Sequence, residues 1–203
     1  MINETITYNK KVQIRLEVEN DWKEVERLTR EAFWKEKNVQ EKGIGCDEHY
    51  LAHILRTSPD FLQELDFVAV MDDQIVGNIM YTVSTLELTN GTQLEVLTFG
   101  PLSVKPSFQN QGIGSALVTH SLKEAKRLGF DAVIIFGHPN YYPRFGFKEA
   151  KEFSITTKDG ENFPAFMALE LFEGSLHGLS ASCHLSDVFD MDQAKAIEFD
   201  KEF

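Results

Sequence analysis

The stretch "LTFGPLSVKPSFQNQGIGSALV", residues 97–118, constrains this chain more than any other part of it. An apolar β-type run passes through Gly100-Pro101, meets Pro106, turns through Gly112 and Gly114 and then becomes helical. Backbone N–H groups at a helix start have no partner inside the helix, and the macrodipole makes that end partly positive. Glycines there let an anion come close to bare backbone. A proline cannot donate to a β-ladder, so Gly100-Pro101 marks an edge, a bend or a bulge. A kinked edge strand needs no ligand, but next to "QNQGIG" a bend gains a purpose. It would part the strand from a neighbour and turn the amides of Leu102 and Val104 into a cleft. An extended ligand could pair with that edge and leave its phosphates at the helix start.

The remaining pattern alternates strands and helices, with no internal repeat and no linker composition. "VQIRLEV", residues 12–18, alternates as a half-buried strand does. Asn20 and Asp21 form a candidate N-cap for a helix to about Phe33, with Trp22, Val25, Leu28 and Ala32 at helical spacing. A second helix is expected from Asp47, ended by "TSPD". "FVAVM" and "QIVGNIMYTVSTLEL" read as a hairpin joined by Asp72 and Asp73, and a further strand follows Asn90-Gly91. Residues 114–128 make an amphipathic helix stopped by Gly129, and the unbroken run "AVIIFG" predicts a strand buried on both faces. After "HPNYYPRFGF" the chain returns to strand-like "FPAFMALELF" and then a polar tail, with a terminal helix expected around Asp192–Phe199.

Composition narrows the function. A content of 42% hydrophobic and 26% charged residues in 203 is that of one globular domain. No apolar run reaches the roughly 18 residues of a membrane span, and "MINETITYNKK" lacks the apolar core of a signal peptide. The expected setting is therefore the cytoplasm, without a membrane partner. Cys46 and Cys183 are too few for a disulfide framework or a Cys-rich zinc site. The formal charge of −12 argues against nucleic acid and favours a cationic or neutral substrate. Any phosphate must then be held by local backbone dipoles.

Two phosphate-binding motifs are excluded: no Lys follows the glycines as in a P-loop, and Leu117 stands where a dinucleotide fingerprint needs its third glycine. What remains, "LSVKPSFQNQGIGSALV", resembles motif A of the GCN5-related N-acetyltransferases, V-x-P-x-x-[RQ]-x-x-G-x-[GA], with Gln109, Gly112 and Gly114 on its positions. "YYPRFGF" is similar to the family's Y-x-x-x-G-F segment, and with "GPLSVKP" it looks most like the YhbS-like branch. The resemblance spans residues 12–172, leaving 173–203 as a C-terminal extension of a single domain. It implies an α/β fold, a mixed and mostly antiparallel twisted sheet of about six to seven strands splayed at its centre and flanked by helices.

The resemblance also implies acetyl-CoA as cosubstrate, no metal, and a small-molecule or peptide amine as acceptor. Leu102, Ser103, Val104, Gln109, Asn110, Gln111, Gly112, Ile113, Gly114 and Ser115 would then bind the cofactor, with the Leu102 N–H facing the oxyanion. Tyr142 falls on the tyrosine that protonates the departing thiolate. The Asn that many members carry about seven residues before that tyrosine has no secure counterpart in the short loop His138-Pro139-Asn140.

An alkyl amine with a pKa of about 10 is protonated in all but roughly one molecule in a thousand near neutrality, so a base is needed. Glu95 and His138 are the candidates, each also readable as an ordinary solvated strand or loop residue. A non-catalytic CoA-binding module on the same fold and a transferase of longer acyl groups are the alternatives. His49 and His53, spaced i, i+4, lack a third ligand and are expected at the surface. Phe33, Trp34 and Phe67 could wall a substrate cleft, Cys183 lacks a catalytic partner, and an exposed strand or the tail after Gly174 could form a homodimer contact.

Overall fold

Residues 12–203 are described by a computed structural model; "MINETITYNKK", residues 1–11, which lacks the apolar core of a signal peptide, lies outside the described residues. Among the described residues nine strands form the sheet: β1 (Gln13–Leu16), β2 (Phe67–Met71), β3 (Gln74–Leu88), β4 (Gln93–Val104), β5 (Ala132–Phe136), β6 (Lys148–Glu149), β7 (Ile155–Thr157), β8 (Phe166–Glu170) and β9 (Ala181–His184). The helices are α1 (Trp22–Phe33), α2 (Glu36–Lys42), α3 (Glu48–Leu55), α4 (Ile113–Arg127) and α5 (Gln193–Asp200).

β1 to β4 make an antiparallel meander, β5 joins β4 in parallel, and β8 and β6 complete the order β1-β2-β3-β4-β5-β8-β6. The β2–β3 hairpin turns on Asp72 and Asp73 at φ 50° and 60°, the pair of positive values that a tight right-twisting hairpin requires. β9 pairs with β3 beyond the end of β2 and also with β7, so the expected six or seven strands become nine. The additional strands are two to four residues long, too short to show an alternation in the sequence.

The sheet separates two layers of core. On one face Leu97, Phe99, Val133 and Ile135 pack against Ile113, Leu117, Val118 and Ala125 of α4. Gly77 allows this approach: a Cβ there would stand 2.9 Å from the Ser103 carbonyl and 3.1 Å from Leu117. On the other face Val96 and Ile134 join Phe166, Ile155 and Cys183, while α1 and α3 cover β2 and β3. Ala132 to Ile135 are buried on both faces as "AVIIFG" predicts, but Phe136 is 48% exposed.

Several expectations are corrected. Asp21 does not cap α1; its carboxylate accepts from Val18 N–H at 3.0 Å and from Arg15 at 2.5 and 3.0 Å, held back toward β1. α2 buries no residue, so no apolar period announces it. His49 is fully buried rather than at the surface. Its ring lies 5.6 and 5.4 Å from those of Phe199 and Phe203, with Nε2 3.2 Å from Asp200. The tail thus returns across the molecule, and Arg30 fixes it by bonding Asp200 at 2.6 and 3.4 Å.

Beneath α1 and α3 lies a buried charge cluster. Arg56 bonds both oxygens of Glu17 at 2.7 and 3.0 Å and Glu26 at 3.1 Å. Burial, and then a hydrogen bond to Glu17, push Asp66 up to about 10. Asp66 therefore keeps its proton and supplies the hydrogen bond that two carboxylates could not make. Among the described residues no helix is long and apolar enough to cross a membrane.

Candidate active site

The two neighbours of β4 treat it differently. Its ladder with β3 runs as far as Gly77 opposite Val104, whereas β5 meets it in register only at Leu97 opposite Val133. The Gly100-Pro101 peptide is cis, and at this level the β3 register shifts between Ile79 and Tyr81. Lys105 N–H bonds the Val76 carbonyl on β3 at 2.9 Å. N–H directions alternate along a strand, so Leu102 and Val104 turn theirs to the opposite edge, into the gap beside β5. The bend expected at Gly100-Pro101 opens the β5 side.

The loop after β4 completes the cleft. Pro106–Phe108 form a 3-10 turn, and Asn110 and Gly112 take φ 60° and 85°. Gln109 Nε2 donates to the Val104 carbonyl at 3.0 Å, folding the loop onto the strand. Gly112 precedes α4 without a side-chain cap, and a Cβ on it would meet nothing within 4 Å. The first bond back to the cap runs from Ala116 N–H to the Gly112 carbonyl at 2.9 Å, so Ile113, Gly114 and Ser115 leave their amides pointing outward. No acidic residue occupies the first turn of α4. These amides open into a cavity of about 430 Å³ lined by Leu102, Val104, Phe108, Gln109, Asn110 and the Gly112–Ser115 turn, closed by Tyr141 and Arg144.

Every expected cofactor residue except Ser103 and Gln111 lines this cavity. Ser103 is buried on the other face, donating to Thr29 at 3.1 Å and tying α1 to the sheet. Gln111 is spent on the Ser107 carbonyl at 3.2 Å. The sequence reading missed Phe108, Tyr141 and Arg144. The Tyr141 hydroxyl lies 3.4 Å from Ser115 Oγ, and the Arg144 guanidinium stands 4.6 Å from the Tyr141 ring centroid. The one available signal was the doubled tyrosine followed by Arg in "YYPRFGF".

Tyr142 sits behind this rim, half-buried, its ring 5.7 Å from both Phe99 and Phe147. A Cβ on Gly137 would stand 2.3 Å from that ring, so the absence of a side chain at 137 seats the phenol. Burial, reinforced by Tyr141, raises the phenol well above its ordinary value. It is a proton donor, not a phenolate. His138 is exposed at the end of β5, where its Nδ1 accepts from Asn140 N–H at 3.3 Å and its carbonyl accepts from Tyr141 and Tyr142. Glu95 lies exposed on the paired side of Leu97, opposite Thr85, outside the cavity.

Phe67 is packed in the main core against His120, not in a cleft wall. Trp34 stacks on Arg30 at 4.0 Å over a shallow hollow shared with Lys105. Burial pushes both Cys46 and Cys183 up to about 12, leaving neutral, unreactive thiols. No cluster of three His, Cys, Asp or Glu side chains among the described residues could hold a metal ion.

Comparison with known proteins agrees with this geometry. Residues 64–149, which carry the cleft and its rim, match the family model described as "Acetyltransferase (GNAT) domain". The uncharacterized N-acetyltransferase YhbS of Escherichia coli K12 is 26% identical over 178 residues, covering 87% of this chain and 98% of that protein. The crystal structure of YhbS in complex with CoA superposes with a TM-score of 0.76 at 24% identity, covering 91% of this chain and 94% of the other. A GNAT family acetyltransferase from Brucella melitensis, in complex with acetyl-CoA, gives 0.66 at 23% identity over 89% and 99% of the two chains. The last two show the shared fold. The domain match and the alignment along nearly all of a relative agree: residues 64–149 match the acetyltransferase (GNAT) domain, and the chain as a whole is similar to YhbS.

Proposed function

We propose that this protein transfers the acetyl group of acetyl-CoA directly to a primary amine, without an acyl-enzyme. The observation that carries the reading is the juxtaposition of two sets of unpaired backbone donors in one cavity: the α4 amides at Gly112–Ser115 and the β4 edge at Leu102 and Val104. The first set suits a diphosphate, an anion that fixed N–H dipoles hold without a net positive surface. The second suits the amide-bearing arm of CoA lying along an open strand edge. Arg144 adds a cation at the phosphate end. The complexes of the similar proteins with CoA and acetyl-CoA support the same assignment.

In the transfer the amine lone pair attacks the thioester carbonyl and a C–N bond forms. The oxygen takes the negative charge, facing the Leu102 N–H. Collapse of the adduct breaks the C–S bond, and the thiolate takes its proton from the neutral Tyr142 phenol, which recovers one as the nitrogen loses its own. His138, at the rim where β5 leaves the sheet, is the better placed of the two candidate bases, acting through water; Glu95 lies on the closed side. The assay is thiol release from acetyl-CoA with a panel of primary amines. Amine-dependent release supports the reading, and CoA binding without release to any amine contradicts it. His138→Ala should lower kcat/KM for the amine by about 100-fold with the Kd for CoA unchanged, and an unchanged kcat/KM would exclude it as the base.

A further inference from the structure

The divergence of β4 and β5 past Leu97 has a second face, turned away from α4. Gly100 and Phe136 each lie three residues beyond the paired position of Leu97 and Val133, so they stand level on opposite lips of the gap. Both belong to the face turned away from α4: Gly100 follows the parity of Val96, and Phe136 that of Ile134, which share the core of that face. The C-terminal segment covers the Gly100 lip. A Cβ on Gly100 would lie 3.9 Å from the Phe189 ring, and Phe189, Val188 and Met191 pack on Leu55 and Met80. Ser186 pins the segment by donating to Asp60 at 2.6 Å. On the other lip the Phe136 ring lies 5.7 Å from Phe163, and the two are 48% and 37% exposed.

The hydroxyls on this face are already spent. Ser84 and Thr98 bond each other at 2.9 Å, and Thr82 reaches the Thr98 carbonyl at 3.5 Å, all three buried. A polyhydroxylated acceptor finds aromatic rings here and no free hydroxyl among Thr82, Ser84 and Thr98. Exposed carboxylates of Asp187 and Asp190 flank Phe189, and Glu161 precedes Phe163 by two residues, which favours a cation.

Resting on the transferase reading above, we propose that the acceptor is an aralkylamine, a primary ammonium carried on a flat apolar body. It enters from the face opposite the cofactor and is held between Phe189 and the Phe136–Phe163 pair. The C-terminal segment, outside the matched residues 64–149, thereby sets acceptor choice.

The test compares kcat/KM for phenethylamine with that for ethanolamine and glucosamine, in the full chain and in Phe189→Ala, Phe136→Ser and the bulk-preserving Phe189→Leu. Phenethylamine should be preferred by about tenfold or more, the range that aromatic contacts supply. Phe189→Ala and Phe136→Ser should each raise its KM about tenfold. Phe189→Leu should recover most of the loss, and the Kd for CoA should stay constant throughout. A preference for the hydrophilic amines, or an unchanged KM for phenethylamine in both truncations, overturns this acceptor assignment while leaving the transferase intact. If acetyl-CoA binds but no amine is acetylated, the transferase reading falls and this inference with it.

Discussion

The cofactor cleft and the cluster around Arg56 both place polar groups out of water, and they resolve the cost in opposite ways. In the cluster the charges answer one another: Arg56 is bonded to Glu17 and Glu26, and Asp66 holds a proton for Glu17, with Asp66 Oδ1 left as the unpartnered atom. In the cleft there is no such answer: the α4 amides lack a cap, and the β4 edge past Leu97 lacks a partner strand. Both regions contain conspicuous charge or dipole, and the unanswered one is the site we propose for a ligand. A functional site here is the polar set that the chain leaves unsatisfied.

The largest effect expected from breaking this contrast is in the cluster. Arg56→Met strands the buried Glu17 carboxylate and takes one partner from Glu26, which keeps His53 at 2.9 Å; it should cost about 3–5 kcal/mol, visible as a fall in Tm with no specific change in CoA affinity among molecules still folded. A loss under about 1 kcal/mol would show the cluster to be solvated and the comparison unfounded. Next comes Tyr142→Phe, which removes the proton donor but not the ring. Turnover should fall by about 100-fold while the Kd for CoA is retained, and equal rates would end the acid role.

Gly114→Val is smaller. A Cβ there already stands 3.1 Å from the Tyr141 hydroxyl and 3.5 Å from Val104, so the branched side chain narrows the cavity. CoA affinity should drop about tenfold with little change in Tm; the reverse pattern would place Gly114 in structure and not in binding.

The last effect is one of pH dependence and concerns Asp66. In the folded chain burial and the neighbouring Glu17 hold this proton well above the usual carboxylate range, whereas the unfolded carboxyl releases it near the ordinary value of about 3.9. Its contribution to stability therefore falls as pH rises across that interval. Asp66→Asn donates to Glu17 with no proton to lose, so its Tm relative to the native chain should improve steadily from about pH 6 to about pH 9. A constant difference over that range would mean that Asp66 is ionised in the fold.

What the sequence disclosed was the chemistry carried by short-range backbone rules. Gly100-Pro101, Gly112 and Gly114 announce a bend and a bare helix start whatever the rest of the chain does, and Asp72-Asp73 announces a hairpin. Those positions led directly to the cavity lining. The features that stayed hidden depend on partners far away in the chain. His49 is spaced like a surface residue until the tail brings Phe199, Asp200 and Phe203 against it. β7 and β9 are too short to pattern, and exist because each completes the other beside β3. Phe67 offers only its type, and its burial follows from the packing of α4 over β2. Tyr141 and Arg144 reach the cavity through a tight turn held by the His138 carbonyl, a geometry that no spacing rule encodes.

The most direct measurement is a titration of the isotope-labelled chain with CoA, following backbone amide resonances. The largest shifts should fall on Gly112, Ile113, Gly114 and Ser115, with a second group at Leu102 and Val104, while the amides around Arg56 stay still. Saturable CoA binding that moves neither group, or no binding at millimolar CoA, would contradict this assignment of the cleft.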